Sequence, residues 1–593
     1  MKRCMLVFLL AGWAHASPPV APSTLIANVS GRTTVSLNGA WRAIVDPFEN
    51  GKSGFFRNDK PRSKSDRVEY SFEASPALNV PGDWNTQREQ LMFYEGPVWY
   101  RREFSYHKRA NVRVFVYFGA ANYQTAVYLN GEKLGEHEGG FTAFNFEATS
   151  LLRDGENFLI AEVNNVRRAD AVPALKFDWW NYGGITRDVM LVEVPTVFIQ
   201  HYWVQLAHGS QNEVAGWVQL NGAQYPQNIS LEIPEAGVHE TVTSDGTGRA
   251  SFHFAGKLEL WSPAHPRLYD VILTSGADTI HDQIGFRTIE VQGANILLNG
   301  KPIFLRGISM HEEAPFREGR AFSVEDAQTL LGWVKDLGCN FVRFAHYPHN
   351  ENEIRLADRM GLMVWSEIPV YWDIDWSNPA TLANAEAQLR DMIARDHNRA
   401  AVILWSLSNE TPVKPERLTF LKQLAQEARE LDSTRLITSA MNHVDNTSPD
   451  MRTLSDPLGE VLDVLGLNEY LGWYGGRPED ADKMQWKSTW NKPLIVSEFG
   501  GGAQYGRHGE TDEIWTEEYQ DNLFQHQLGM IERMPKLAGM TPWVLMDFRS
   551  PARMLPGVQD YHNRKGLISN RGQRKLAFQT LQKFYKKMAD AGK

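Results

Sequence analysis

Two cysteines in 593 residues exclude a disulfide framework. Cys4 falls in a predicted leader. Cys339 sits in Leu337-Gly338-Cys339-Asn340-Phe341, where it reads as a small apolar residue at a strand start. No apolar run is long enough to span a bilayer. Positive charge is also short: 61 Lys and Arg against 71 Asp and Glu give a net charge of −10. That balance excludes a general nucleic-acid binder, and an anionic ligand would have to be met by a local basic cluster. Internal repeats and low-complexity segments are lacking, and no metal or cofactor site is predicted.

The N-terminus carries export signals. Lys2 and Arg3 precede an apolar run from Met5 to Trp13, and Ala14-His15-Ala16 has the A-x-A form of a cleavage site. A signal peptide over residues 1–16 is predicted, with release to a periplasm or the medium and no membrane insertion after cleavage. No cysteine follows Ala16 to take a lipid anchor. In that compartment Cys339 must be buried.

What the chain has is aromatic surface and a repeated strand ending. Nineteen Trp within 11% aromatics is high, and the C–H faces of sugars stack on flat rings. Ala401-Val402-Ile403-Leu404-Trp405 reads as a strand buried on both faces, running through Ser406-Leu407-Ser408 into Asn409-Glu410 before Thr411-Pro412. Lys492-Pro493-Leu494-Ile495-Val496-Ser497-Glu498 repeats the pattern, with Phe499-Gly500-Gly501-Gly502 turning the chain. A single strand-terminal glutamate most often caps the next helix. Two of them at the C-terminal tips of parallel strands in one (β/α)8 barrel mark the place where that fold keeps its catalysts. Paired carboxylates there suit glycosidic bond cleavage.

The remaining chain frames this barrel. Residues 17–194 show short strands broken by turns, with Asn130-Gly131 a strong hairpin signal, and predict a β-sandwich of jelly-roll type. Its loop Phe177-Asp178-Trp179-Trp180-Asn181-Tyr182 is rich in aromatics; packing suits the tryptophans and ligand contact suits Asp178. Residues 195–287 predict an immunoglobulin-like sandwich acting as a spacer. From 288 to 593, strands at Ile303–Leu305, Phe341–Phe344, Met363–Trp365, the Glu410 strand, Leu436–Thr438, Val464–Leu467, Leu494–Val496 and Gly539–Val544 alternate with helical patterns. Glu410 then ends the fourth strand and Glu498 the seventh.

At these residues the chain resembles the family 2 glycoside hydrolases, and within them the β-glucuronidases. The matching pieces are Tyr94-Glu95-Gly96-Pro97-Val98-Trp99-Tyr100, Asn181-Tyr182-Gly183-Gly184, Arg306-Gly307-Ile308-Ser309-Met310-His311-Glu312, Arg343-Phe344-Ala345-His346-Tyr347-Pro348, Trp405 to Glu410 and Val496 to Gly500. Asn468-Glu469-Tyr470-Leu471-Gly472-Trp473-Tyr474 and Asn563-Arg564-Lys565-Gly566 carry the narrower resemblance. It implies retaining release of a terminal β-linked sugar from a carbohydrate substrate, with Glu498 as nucleophile and Glu410 as acid and base. It further implies Asn409 on the sugar 2-hydroxyl, Tyr470 on Glu498, Tyr474 in the substrate pocket, Asp178 and His346 on hydroxyls, Trp543 as the sugar's floor, and Asn563 with Lys565 on a uronate carboxylate. His311 is open between sugar contact and packed barrel residue. Family glucuronidases tend to place an arginine four residues before this asparagine, where the chain has Gln559; Arg549 and Arg553 are the nearby cations.

The resemblance leaves a β-galactosidase or β-galacturonidase of the same family, and a non-catalytic carbohydrate-binding protein, as alternatives, and leaves homo-oligomerisation open. Between Glu367 and Pro379 there is no room for the long flap some bacterial glucuronidases carry. An open cleft is therefore expected, with Trp372 or Trp376 either stacked on a second sugar or packed on a neighbouring loop.

Overall fold

The fourth barrel strand, Val402–Asn409, is buried along its whole length. It pairs in parallel with Met363–Glu367 on one side and Leu436–Met441 on the other. Continuing round, Leu465–Asn468 pairs with Leu494–Glu498, which pairs with Leu537–Met540. The first strand closes the ring by splitting. Leu305–Arg306 pairs with Leu537–Met540, and Ser309–Met310 pairs with Phe341–Phe344. Gly307 lies in the split, where a Cβ would sit 2.6 Å from Thr541 Cγ2 and 2.7 Å from Phe341 Cδ1. These relations come from a computed structural model that describes residues 24–60 and 69–592; the expected leader, with Cys4, lies outside the described residues.

Two strand limits differ from expectation. The Asn299-Gly300 turn, at φ +53° and +75°, folds Lys301–Ile303 back on Asn295–Leu298, so the barrel strand begins at Leu305 rather than Ile303. Pro542 lacks the N–H that ladder pairing needs, so the eighth strand stops at Met540 and Trp543 follows it instead of ending it.

Helices Val324–Asp336, Glu351–Met360, Pro379–Asp396, Pro415–Leu431, Glu517–Glu532 and Leu576–Asp590 cover the ring. Their starts are written in the sequence: Ser323 and Asp326 form a reciprocal capping box, and Asn378 caps a helix that opens on Pro379. After the fifth and sixth strands the described residues form no α-helix. Val444–Ser448, Met451–Leu454 and Gln485–Ser488 make a small sheet there instead, with 3-10 turns at Pro457–Glu460 and Pro478–Asp482. Cys339 is buried and free.

Two sandwiches precede the barrel. In the first, a six-stranded and a four-stranded antiparallel sheet enclose one core that includes Trp41, Trp84, Val116 and Leu191. Its hairpin Gln124–Leu129 to Glu132–Glu138 turns at Asn130-Gly131, both at positive φ as that turn requires. The second packs a three-stranded sheet on a four-stranded one around Tyr202, Val218, Leu231 and Leu273, the seven-strand plan of an immunoglobulin-like sandwich.

Candidate active site

Both glutamates stand at the same end of the barrel. Glu498 is the last residue of its strand, and Glu410 follows Asn409 directly, at φ +49°. Their surroundings differ. Glu498 Oε1 accepts from Arg343 Nη1 at 2.7 Å and Oε2 from the Tyr470 hydroxyl at 2.7 Å. No cation among the described residues lies within ion-pair distance of Glu410: Oε1 accepts from Asn468 Nδ2 at 3.0 Å and Oε2 from Trp372 Nε1 at 3.0 Å. Burial, then the nearby charge of Glu498, raises the Glu410 carboxyl above its ordinary range, with the two donors opposing. A carboxyl raised by burial beside one held by a cation is an arrangement that suits an acid and a nucleophile.

Arg343, fully buried in the second strand, ties the floor together. It donates to both oxygens of Glu367, at 3.0 and 3.2 Å, to Glu498, and to Asn409 Oδ1 at 2.7 Å. Burial alone would raise Glu367, but the Arg343 charge and the His346 bond outweigh it and hold the carboxyl down at about 2. His346 Nδ1 lies 2.9 Å from Glu367, and its Nε2 lies 4.0 Å from Glu498. With Arg343 fixing Asn409 Oδ1, the Asn409 Nδ2 donor is buried without a partner among the described residues.

An aromatic wall surrounds these groups. Trp543 stacks on His346 with centroids 4.8 Å apart, and Trp179 stacks on it from another side at 5.7 Å. His311 is packed among Phe548, Trp543 and Tyr347, bonding the Tyr347 hydroxyl at 2.9 Å; burial and then the neighbouring His346 push its pKa well down. Trp376 packs edge-on against Phe420 and donates to Asp373, away from Glu410.

The first sandwich completes the cleft. Its loop is pinned by Asn165 and Asn181 bonding each other's backbone carbonyls and by Trp180 N–H on the Arg549 carbonyl. Asp178 at the tip accepts from Ser550 Oγ at 2.6 Å, from Asn563 Nδ2 at 3.1 Å and from the Arg553 guanidinium on both oxygens. Lys565, 3% exposed, donates to the Tyr474 hydroxyl at 2.7 Å and lies over the rings of Tyr470, Trp473 and Tyr474. Among the described residues no carboxylate lies within ion-pair distance of Lys565. Gln559 turns away, its side chain accepting from Leu555 N–H.

The sequence patterns "Glycosyl hydrolases family 2, sugar binding domain", "Glycosyl hydrolases family 2" and "Glycosyl hydrolases family 2, TIM barrel domain" match residues 35–195, 197–287 and 289–590 in turn. The chain belongs to glycoside hydrolase family 2. This family 2 enzyme is an O-glycosyl hydrolase. It is 27% identical over 612 residues to the β-glucuronidase of Paenibacillus borealis, covering 94% of this chain and 98% of that one. The human β-glucuronidase is 28% identical over 626 residues, covering 94% and 92%. The crystal structure of Ruminococcus gnavus β-glucuronidase superposes with a TM-score of 0.81 at 24% identity, over 96% of this chain and 99% of that one, which shows a shared fold.

Of the residues singled out in the sequence, the contacts above link Asp178, His346, Asn409, Glu410, Tyr470, Tyr474, Glu498, Trp543, Asn563 and Lys565, while Trp376 and Gln559 bond elsewhere and His311 packs behind Trp543. Sequence reading assigned no role to Arg343, Glu367, Asn468 and Ser550, and offered Arg553 only as a stand-in for the arginine absent at Gln559, whereas it pairs with Asp178. An arginine inside the otherwise apolar strand Phe341–Phe344, and a third strand-terminal glutamate at 367, were the signals available for two of them.

Proposed function

We propose that the enzyme releases terminal β-linked glucuronate by a retaining double displacement. The observation that carries the sugar's identity is Lys565: a buried ammonium beside Asn563, with no carboxylate partner among the described residues, calls for an anion from the ligand. A uronate C6 carboxylate has that charge, and Asn563 and Tyr474 supply neutral donors beside it.

In the first step the Glu498 carboxylate attacks the anomeric carbon while Glu410 passes its proton to the glycosidic oxygen, breaking that bond. In the second, Glu410, now a carboxylate, takes a proton from water as the water displaces Glu498 from the ester. Tyr470 and Arg343 hold the Glu498 oxygens, and Asn409 Nδ2 is free for the sugar 2-hydroxyl. His346 and Asp178 bond the remaining hydroxyls and Trp543 floors the ring. The Lys2 to Ala16 segment supports export of the mature enzyme; no helix among the described residues is long and apolar enough to cross a membrane.

A panel of nitrophenyl β-glycosides tests the reading. The glucuronide should have the highest kcat/KM, above the galacturonide, glucoside and galactoside. A galactoside turned over faster than both uronides would overturn it.

A further inference from the structure

Glu410 is held by two neutral donors, and they are not equivalent. The Asn468 amide divides its donors between Glu410 Oε1 and Asn409 Oδ1, while its own oxygen is fixed by the Ser497 hydroxyl at 2.7 Å. Trp372 gives its single N–H to Glu410 Oε2 alone. An indole N–H only donates, so it cannot turn round to accept when the carboxyl takes up its proton.

The chain is strained to make this contact. Trp372 and Glu410 both lie in the left-handed region, at φ +56° and +49°, which bulky side chains disfavour. They are kept there by a short ladder. Asn409 N–H bonds the Val370 carbonyl at 2.9 Å, Trp372 N–H the Asn409 carbonyl at 3.0 Å, and Glu410 N–H the Ala440 carbonyl at 2.8 Å. The Trp372 ring leans on Tyr371, which meets Trp179. Strain that persists because its surroundings over-determine it marks a functional contact more often than an idle one.

We infer that Trp372 is a positioning residue for Glu410: its indole N–H fixes the rotamer of the carboxyl and favours the charged form between proton donation and proton recovery. The inference rests on Glu410 being the acid and base. The other titratable groups facing that carboxyl are Glu498, His346, Tyr371 and Tyr470; Tyr371 packs on the Trp372 ring, so the informative variant is one that keeps a ring there. Loss of a donor to the charged form leaves Glu410 protonated to higher pH. It also leaves the acid less well aimed at a leaving oxygen that needs its proton.

The test uses Trp372→Phe, which keeps a ring and removes the N–H, with Trp372→Leu as a second variant without it. For the sugar the wild type prefers, kcat/KM is followed against pH with a nitrophenyl and a methyl leaving group, and folding is checked by thermal melting. The basic limb should move up by about one pH unit. At the optimum, the methyl glycoside should lose about tenfold more than the nitrophenyl glycoside. An unmoved limb with equal losses on both leaving groups, in either folded variant, overturns the role given to Trp372. Glu410→Ala separates the two failures: if it too spares the nitrophenyl glycoside no more than the methyl one, Glu410 is not the acid and the inference falls with that reading.

Discussion

Arg553 grips both oxygens of Asp178. Asp178 shares Asn563 with the pocket around Lys565, so under the proposed function an uncompensated Asp178 would repel the uronate carboxylate. Arg553 cancels that charge, and it does so from a loop whose later residue, Gln559, only closes its own turn on Leu555.

Arg553→Gln should therefore raise KM for a glucuronide about tenfold or more, while a neutral glucoside is changed much less. The comparison of KM between the two substrates, in variant and wild type, is the measurement. An equal rise on both would mean that Arg553 only shapes the Asp178 loop.

Lys565→Ala removes a charge-assisted contact worth roughly 1.5–3 kcal/mol. That corresponds to about a 10- to 150-fold loss of kcat/KM on the glucuronide. The ratio of uronide to neutral-sugar efficiency should collapse. A ratio that survives the substitution would make Lys565 a packing residue under Tyr474.

The roles proposed for Glu498 and Glu410 predict different defects. Glu498→Ala should abolish turnover of every substrate with the fold intact by circular dichroism. Glu410→Ala should still accumulate glycosyl-enzyme from a dinitrophenyl glycoside, visible as a burst, because that leaving group needs no proton. In a ligand-bound crystal structure the carboxyl groups should stand about 5–5.5 Å apart; a separation near 9 Å would indicate inversion.

A pH effect on stability is expected away from the chemistry. Burial, opposed by the Arg320 charge and the Tyr182 bond, pushes the Glu313 carboxyl up to about 8 where the first sandwich meets the barrel. Its folded value lies above its unfolded one, so the folded state keeps a proton the unfolded state has released. Stability is lost as pH rises from about 4.5 towards 8. Glu313→Gln, which keeps the shape without the charge, should flatten the fall of Tm over that range.

The fold was largely legible because its signals are local. A strand such as Val402–Asn409 announces itself by unbroken apolar residues ending in Asn409-Glu410, and helix starts by Ser323 and Asn378. The missing helices after the fifth and sixth strands were less visible, since a short sheet such as Met451–Leu454 with Gln485–Ser488 depends on pairing across 34 residues. In the site, residues at strand tips were readable by position. Arg343 and Asn468 were not, because their importance lies in which carboxylates they reach in space. Trp372 was legible as an aromatic near the cleft, but its bond to Glu410 depends on a left-handed backbone that no periodicity encodes.

Asp178 meets Asn563 across 385 positions of the chain. During synthesis the sandwich loop emerges early, and Glu410 and Glu498 follow well before Asn563 and Lys565. A chain halted after residue 500 would hold Glu410 and Glu498 but neither the eighth barrel strand nor Asn563 and Lys565. The Asp178–Asn563 contact is thus made late, since the two halves of the proposed sugar pocket can meet only after the eighth barrel strand has been added.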